Sequence, residues 1–172
     1  MKRPMTPRGY AALRNELRRQ KALRPELSAA IEVARAHGDL RENADYAAAK
    51  EKSGLTEARI RDLEARLANA EIIDPASLPP PKKVTFGVTV TIEDVDTGDR
   101  RKLSIVGSEE SDVDRGMISF ESPLAKGLIG KEVGDVAKVM LPAGAKDYEV
   151  TEICIDYNWK PGAEDILEES QV

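Results

Sequence analysis

The sequence predicts an α+β protein: an N-terminal antiparallel α-helical coiled-coil hairpin, followed by a small, mostly antiparallel β domain with one short helix. Three observations carry this. Two arms of heptad-spaced apolar residues fill roughly the first 70 positions, a proline run at Leu78-Pro79-Pro80-Pro81 interrupts them, and strand-length alternation of apolar and polar residues follows. The expected organisation is a hairpin over 1–75, a linker over 76–83, a β domain over 84–157 and a mobile acidic tail over 158–172.

In the first arm a 4,3 spacing runs through Leu13, Leu17, Gln20, Arg24, Leu27, Ile31 and Ala34, a coiled-coil seam with polar residues at its middle. Pro25 sits at that interruption, and because proline removes an amide donor and restricts the residue before it, a kink or short break is expected near Arg24. The second arm reads more regularly, as Tyr46, Ala49, Ser53, Thr56, Ile60, Leu63, Leu67 and Ala70, with small residues near the bend and large aliphatic ones at the base. Gly38 suits a helix end, and the short connection makes the arms antiparallel neighbours. An arm of about 25 residues reaches roughly 38 Å.

The proline run is a stiff, extended connector. Beyond it Val84, Phe86, Val88, Val90 and Ile92 alternate as a half-buried strand should, Asp96-Thr97-Gly98-Asp99 supplies a turn, and Leu103–Val106 returns. Further strands are expected at Met117–Phe120, Ala137–Leu141 and Tyr148–Tyr157. Between them Ser122, Pro123, Leu124, Leu128, Ile129 and Gly130 spell an N-capped short helix with a glycine stop. The final residues carry Glu164, Asp165, Glu168 and Glu169 with little to bury, and Trp159 is the one residue there expected to dock.

Composition excludes several classes. The chain has 172 residues, 33% charged and 41% hydrophobic, with no apolar run near the ~20 residues a bilayer requires. Its start lacks the apolar stretch of a secretory signal, and the single cysteine, Cys154, forms no internal disulfide and is expected to be a small core hydrophobe. A reducing cytoplasm is the expected compartment. The net charge of -5 hides an asymmetry, since residues 1–75 hold 15 Lys/Arg against 12 Asp/Glu and residues 76–172 hold 11 against 19. The excess is concentrated in Lys2, Arg3, Arg8, Arg14, Arg18, Arg19, Lys21 and Arg24. Such a cluster either attracts nucleic acid or forms a solvated helix face, and no stacking aromatics alternate with it.

Between the arms, Gly38-Asp39-Leu40-Arg41-Glu42-Asn43-Ala44-Asp45-Tyr46 places three carboxylates at the bend. Asp39 and Glu42 stand three apart, so on the first turn of the second helix they would share a face. Two readings stand side by side. The spacing is that of a capping box, in which both side chains satisfy orphan amides. It also offers hard oxygen ligands to a cation such as Mg²⁺, although two carboxylates leave most of the coordination shell to a partner. Asp45 adds an acid that capping does not need, and His37, the only histidine, has no soft ligand beside it and reads as loop structure.

The stretch from Ile31 to Tyr46, continuing into Ala49-Lys50-Glu51, closely resembles the signature of the bacterial Gre transcript cleavage factors, nearest their GreA-like branch. The resemblance extends through Met5-Thr6-Pro7-Arg8-Gly9-Tyr10, Arg59-Ile60 to Leu67, Phe86-Gly87, Ile105-Val106-Gly107 and Ser122-Pro123-Leu124-Ala125 to Gly130-Lys131. It implies an FKBP-like C-terminal domain that binds RNA polymerase at the rim of its secondary channel, and a hairpin that enters the channel. It further implies that Asp39 and Glu42 act together there, sharing a Mg²⁺ with the polymerase, to stimulate hydrolytic cleavage of the 3′ end of backtracked RNA. On that reading the chain is not an enzyme by itself, binds no metal tightly alone, and is a monomer when free. Asn43, Asp45 and Tyr46 would shape the tip or lie near RNA, and Arg14, Arg18 and Arg19 would face the RNA 3′ end. The tail beyond Tyr157 is longer than the family pattern. The alternative is a channel-binding regulator that inhibits polymerase without cleavage. A prolyl isomerase is disfavoured by two Phe and one Trp, and a coiled-coil dimeriser by the short bend.

Overall fold

The computed structural model describes residues 2–38 and 43–162. These form two compact units, one built on Ala11–Asn69 and the other on Met1–Tyr10 with Ala70–Lys160.

The helical unit contains most of α1 (Pro7–Arg35) and all of α2 (Ala44–Ala68). Its buried residues are those of the two expected seams: Leu13, Leu17, Leu27 and Ala34 on α1, and Thr56, Ile60 and Leu63 on α2. Three ion pairs flank the seam, Arg59 to Glu16 at 2.7 Å, Lys21 to Glu64 at 3.2 Å and Arg24 to Glu57 at 2.8 Å. Ala34 meets Asn43, Arg24 meets Glu57 and Glu16 meets Arg59, so the helices run antiparallel.

The break expected at Arg24-Pro25 does not occur, because α1 continues through Pro25. Proline removes one backbone hydrogen bond, but the adjacent turn is held from outside. Arg24 donates two hydrogen bonds to the Glu57 carboxylate, at 2.8 and 2.9 Å, and Leu27 is buried just beyond. The bidentate pair raises the Arg24 pKa and lowers that of Glu57, each chiefly through the shared hydrogen bonds.

The second unit holds a five-stranded sheet in the order β5-β4-β3-β7-β6, from β3 (Thr89–Asp94), β4 (Arg100–Val106), β5 (Met117–Ser119), β6 (Val136–Leu141) and β7 (Gly144–Cys154). All neighbours are antiparallel except β4 and β5, which are parallel. Val90, Ile92, Leu103, Ile105, Val139 and Val150 point to one face and meet Leu124, Ala125 and Leu128 of α3 (Pro123–Leu128). The helix begins as its sequence predicts, with the Ser122 hydroxyl accepting the Ala125 N–H.

Several details differ from the sequence expectation. The strand expected from Val84 starts at Thr89, because Thr85 to Val88 turn back on themselves while Val84 bonds instead to Gly130 and Lys131. Val84 and Val88 still reach the core. Cys154 ends β7 half-buried, outside the core. Trp159 is half-buried and lines a cavity of about 250 Å³ with Arg8, Tyr157 and the Thr89 and Ser104 hydroxyls. Of the tail, 163–172 lie outside the described residues.

A second, two-stranded sheet was not anticipated. In it β1 (Arg3–Met5) pairs parallel with β2 (Ala70–Ile72), and Met5 is buried. Three residues are too few for alternation to register in sequence. Immediately after, Thr6 starts α1: its hydroxyl accepts the Gly9 N–H at 3.2 Å and donates to the Glu110 carboxylate at 2.6 Å, which Arg8 also engages at 3.1 Å. The Tyr157 hydroxyl accepts the Arg8 N–H at 3.0 Å, and burial raises its pKa.

Gly116 closes the turn before β5 at φ 70°, and its carbonyl accepts the Ser104 N–H at 2.7 Å. A Cβ there would lie 2.8 Å from the Lys102 carbonyl oxygen, a backbone atom with no side-chain freedom to yield. Gly116→Ala is therefore expected to lower stability by about 1–3 kcal/mol, measured by chemical denaturation, without altering the helical unit.

Candidate functional site at the closed end of the hairpin

The connection between α1 and α2 comprises residues 36–43. Asp39 and Glu42, with Leu40 and Arg41, lie outside the described residues. What the structure gives is the pair of stems that hold them.

On the α1 side the last turn carries Arg35, a cation favourable at a helix C-terminus, ion-paired with Glu32 at 3.6 Å. The His37 N–H donates to the Ala34 carbonyl at 3.2 Å, tightening the final turn. His37 is exposed. Gly38 follows at φ 119°, a backbone conformation that side chains disfavour, although a Cβ there would meet nothing.

On the α2 side the N-cap is Asn43, in extended conformation, and its Oδ1 accepts the Tyr46 N–H at 3.0 Å. The helix begins at Ala44, so Asp39 and Glu42 precede its first turn and the box spacing does not supply its N-cap. Asn43 is the residue whose type fits the role, since asparagine ranks among the strongest N-caps. Its Nδ2 also donates to the Ala34 carbonyl at 2.5 Å. One amide thus caps one helix and ties it to the other. Asp45 is exposed in the first turn, where its charge favours the helix dipole. Tyr46 is half-buried on the seam, with the Lys50 ammonium 5.4 Å from its ring centre.

The basic cluster of residues 1–24 is divided among different tasks. Arg3 engages Ser108, Glu109 and Glu121, Arg8 engages Glu110, and Lys21 and Arg24 pair across the hairpin. Arg14 and Arg18 are half-buried on α1 and Arg19 is exposed, with Arg18 hydrogen-bonded to Asn15. Among the described residues no group of three or more His, Cys, Asp or Glu could hold a metal ion.

The pairing of such a hairpin with this β unit has counterparts. Residues 3–72 match the family model described as transcription elongation factor, N-terminal, and 79–154 match the model described as transcription elongation factor, GreA/GreB, C-term. The chain belongs to the GreA/GreB family of transcription elongation factors. Among curated relatives, "Transcription elongation factor GreA" of Psychrobacter sp. is 52% identical over 87% of this chain and 96% of its own length. Its counterpart of Hyphomonas neptunium is 54% identical over 87% and 96%. Among solved structures, GreA factor homolog 1 of Thermus thermophilus shows 30% identity over 89% of this chain and 99% of its own, with a TM-score of 0.41. For this GreA/GreB member the fold rests on its own strand order and register.

What sequence reasoning did not foresee is the reach of Asn43 to Ala34. The residue type signals a cap, but nothing in a linear pattern shows which carbonyl lies opposite. Asn43→Ala removes both bonds of the amide, and is expected to cost about 1–2 kcal/mol. The check is thermal unfolding of the hairpin by circular dichroism, with a loss of helical signal below the transition as the stems fray.

Proposed function

We propose that this protein binds RNA polymerase, inserts its hairpin into the secondary channel and stimulates Mg²⁺-dependent endonucleolytic cleavage of the 3′ end of backtracked RNA, rescuing arrested complexes. The observation that carries this reading is the pairing of family membership with an acid-bearing connection, Asp39 and Glu42, at the closed end of a hairpin whose two stems are locked together.

The donor set fits the ion. Asp39 and Glu42 are hard oxygen donors without a thiolate beside them, the chemistry Mg²⁺ prefers, and two carboxylates are too few for its octahedral shell. The remaining ligands would come from polymerase and water, so the protein completes another enzyme's site. When bound, the ion would activate the attacking water and neutralise charge on the scissile phosphate. The chain's own part is to present two carboxylates at the end of a stiff rod, and to keep them charged. Asp45, Tyr46 and Asn43 shape the rod's end, and Arg14, Arg18 and Arg19 offer positive charge to RNA phosphates. A channel-binding regulator without cleavage is the second reading; the intact pair of acids favours the first.

The deciding experiment follows 3′-labelled RNA in a defined backtracked complex with Mg²⁺. Wild type should release a short labelled fragment, and Asp39→Ala/Glu42→Ala should slow release by on the order of 100-fold or more while polymerase binding persists. No release by wild type, with binding intact, would replace this reading by the inhibitory regulator. Neutralising Arg14, Arg18 and Arg19 together should weaken crosslinking to the RNA 3′ end, most at low salt, and unchanged crosslinking would remove those residues from the RNA path.

A further inference from the structure

The β unit holds a cavity of about 250 Å³ whose lining residues all belong to that unit. Its floor follows from strand alternation. Val90 and Leu103 face the core as a cross-strand pair, so the neighbouring pair Thr89 and Ser104 stands on the opposite face of the sheet. Their hydroxyls share one hydrogen bond at 2.9 Å. Two hydroxyls carry two protons, so that bond leaves one O–H at the floor for a ligand. A cross-strand Thr–Ser bond stabilises a sheet by itself, but it requires no cavity above it.

The walls add three further kinds of chemistry. Trp159 gives an aromatic surface, and the segment that carries it is fastened twice: the Tyr157 hydroxyl accepts the Arg8 N–H at 3.0 Å, and Asp156 pairs with Lys102 at 3.3 Å. Arg8 supplies a guanidinium whose Nε is oriented by the Glu110 carboxylate at 3.1 Å. Its Nη2 donates to the Met117 thioether, a weak acceptor that an anionic oxygen would displace. Arg115 and Asp156 stand where the cavity meets solvent, their side chains 77% and 49% exposed. Arg115 is held by Asp112 at 3.5 Å, an exposed ion pair that costs little to exchange for a ligand.

One class of ligand uses all of these groups. A nucleobase stacks on an indole and presents its edge to a hydroxyl, a carboxylate accepts from ribose hydroxyls, and guanidinium groups match a phosphate. We propose that this cavity binds a nucleoside monophosphate unit, with the base against Trp159 and the Thr89–Ser104 hydroxyls, the ribose diol at Asp156, and the phosphate taken by Arg115 and Arg8. At about 250 Å³ it lies below the roughly 300–1,000 Å³ of pockets that enclose larger ligands, which leaves room for a single nucleotide with its phosphate at the open side. That unit is either a free nucleotide or one residue of an RNA strand. Binding here is independent of transcript cleavage.

Trp159 is the only tryptophan in the chain, so its fluorescence reports this cavity alone. Titrating the free full-length protein with the common ribonucleoside 5′-monophosphates should give saturable quenching, with a Kd below about 1 mM for at least one of them. Arg115→Ala, at an exposed position, should raise that Kd about tenfold, and removing the phosphate from the ligand should do the same. A 2′,3′-dideoxynucleotide should bind about tenfold more weakly than the ribonucleotide, and Asp156→Ala should abolish that difference. Both variants should keep the wild-type circular dichroism spectrum. A single-stranded RNA oligonucleotide that binds more tightly than the mononucleotide identifies the strand as the source, and equal or weaker binding identifies the free nucleotide; each supports the site. Quenching that does not saturate, that nucleosides match without a phosphate, or that persists unchanged in Arg115→Ala would overturn it.

Discussion

A two-helix hairpin has a single seam to bury. Leu13, Leu17, Leu27, Ile60 and Leu63 are buried along it, and toward the connection Ala34, Ala49 and Ser53 stand with half-buried Ile31 and Tyr46. Each large aliphatic side chain contributes about 1.5–3 kcal/mol when fully buried, and an alanine far less. Hydrophobic packing acts along the whole seam, and at the tip other forces join it. Those forces are polar contacts: the Asn43 amide bridging to Ala34, the dipole-matched charges of Arg35 and Asp45, and the tightened final turn at His37.

The same economy governs charge. A basic excess in the first 24 residues resembles a nucleic-acid surface, yet Arg3 and Arg8 hold the N-terminal segment within the β unit, and Lys21 and Arg24 hold the hairpin together. The Arg24–Glu57 pair lies next to the proline inside α1. Exposed ion pairs contribute little stability individually, but a bidentate geometry restrains the adjacent turn.

In the β unit Glu110 does comparable work. Its carboxylate accepts from the Thr6 hydroxyl and the Arg8 guanidinium, so the residue that starts α1 is tied to a loop more than 100 positions later in sequence. Gly9 has no Cβ because one would fall 2.6 Å from the Glu110 Cγ.

By itself the sequence determined the α+β class, the α2 seam and the α1 seam apart from exposed Arg24, the Ser122 cap of α3 and the family, because these are written in short-range periodicity, cap chemistry and motif order. Every seam position read in α2, from Tyr46 to Leu67, is shielded from solvent as that periodicity requires. Tertiary structure alone decided the rest. The ion pair made by Arg24, beside Pro25, depends on Glu57, the pairing of Arg3–Met5 with Ala70–Ile72 depends on a parallel partner far along the chain, and the donor role of Asn43 depends on the carbonyl of Ala34. The physical reason is common to all three: a local pattern specifies what a residue can do, and only the partner brought opposite it decides which of those capacities is used.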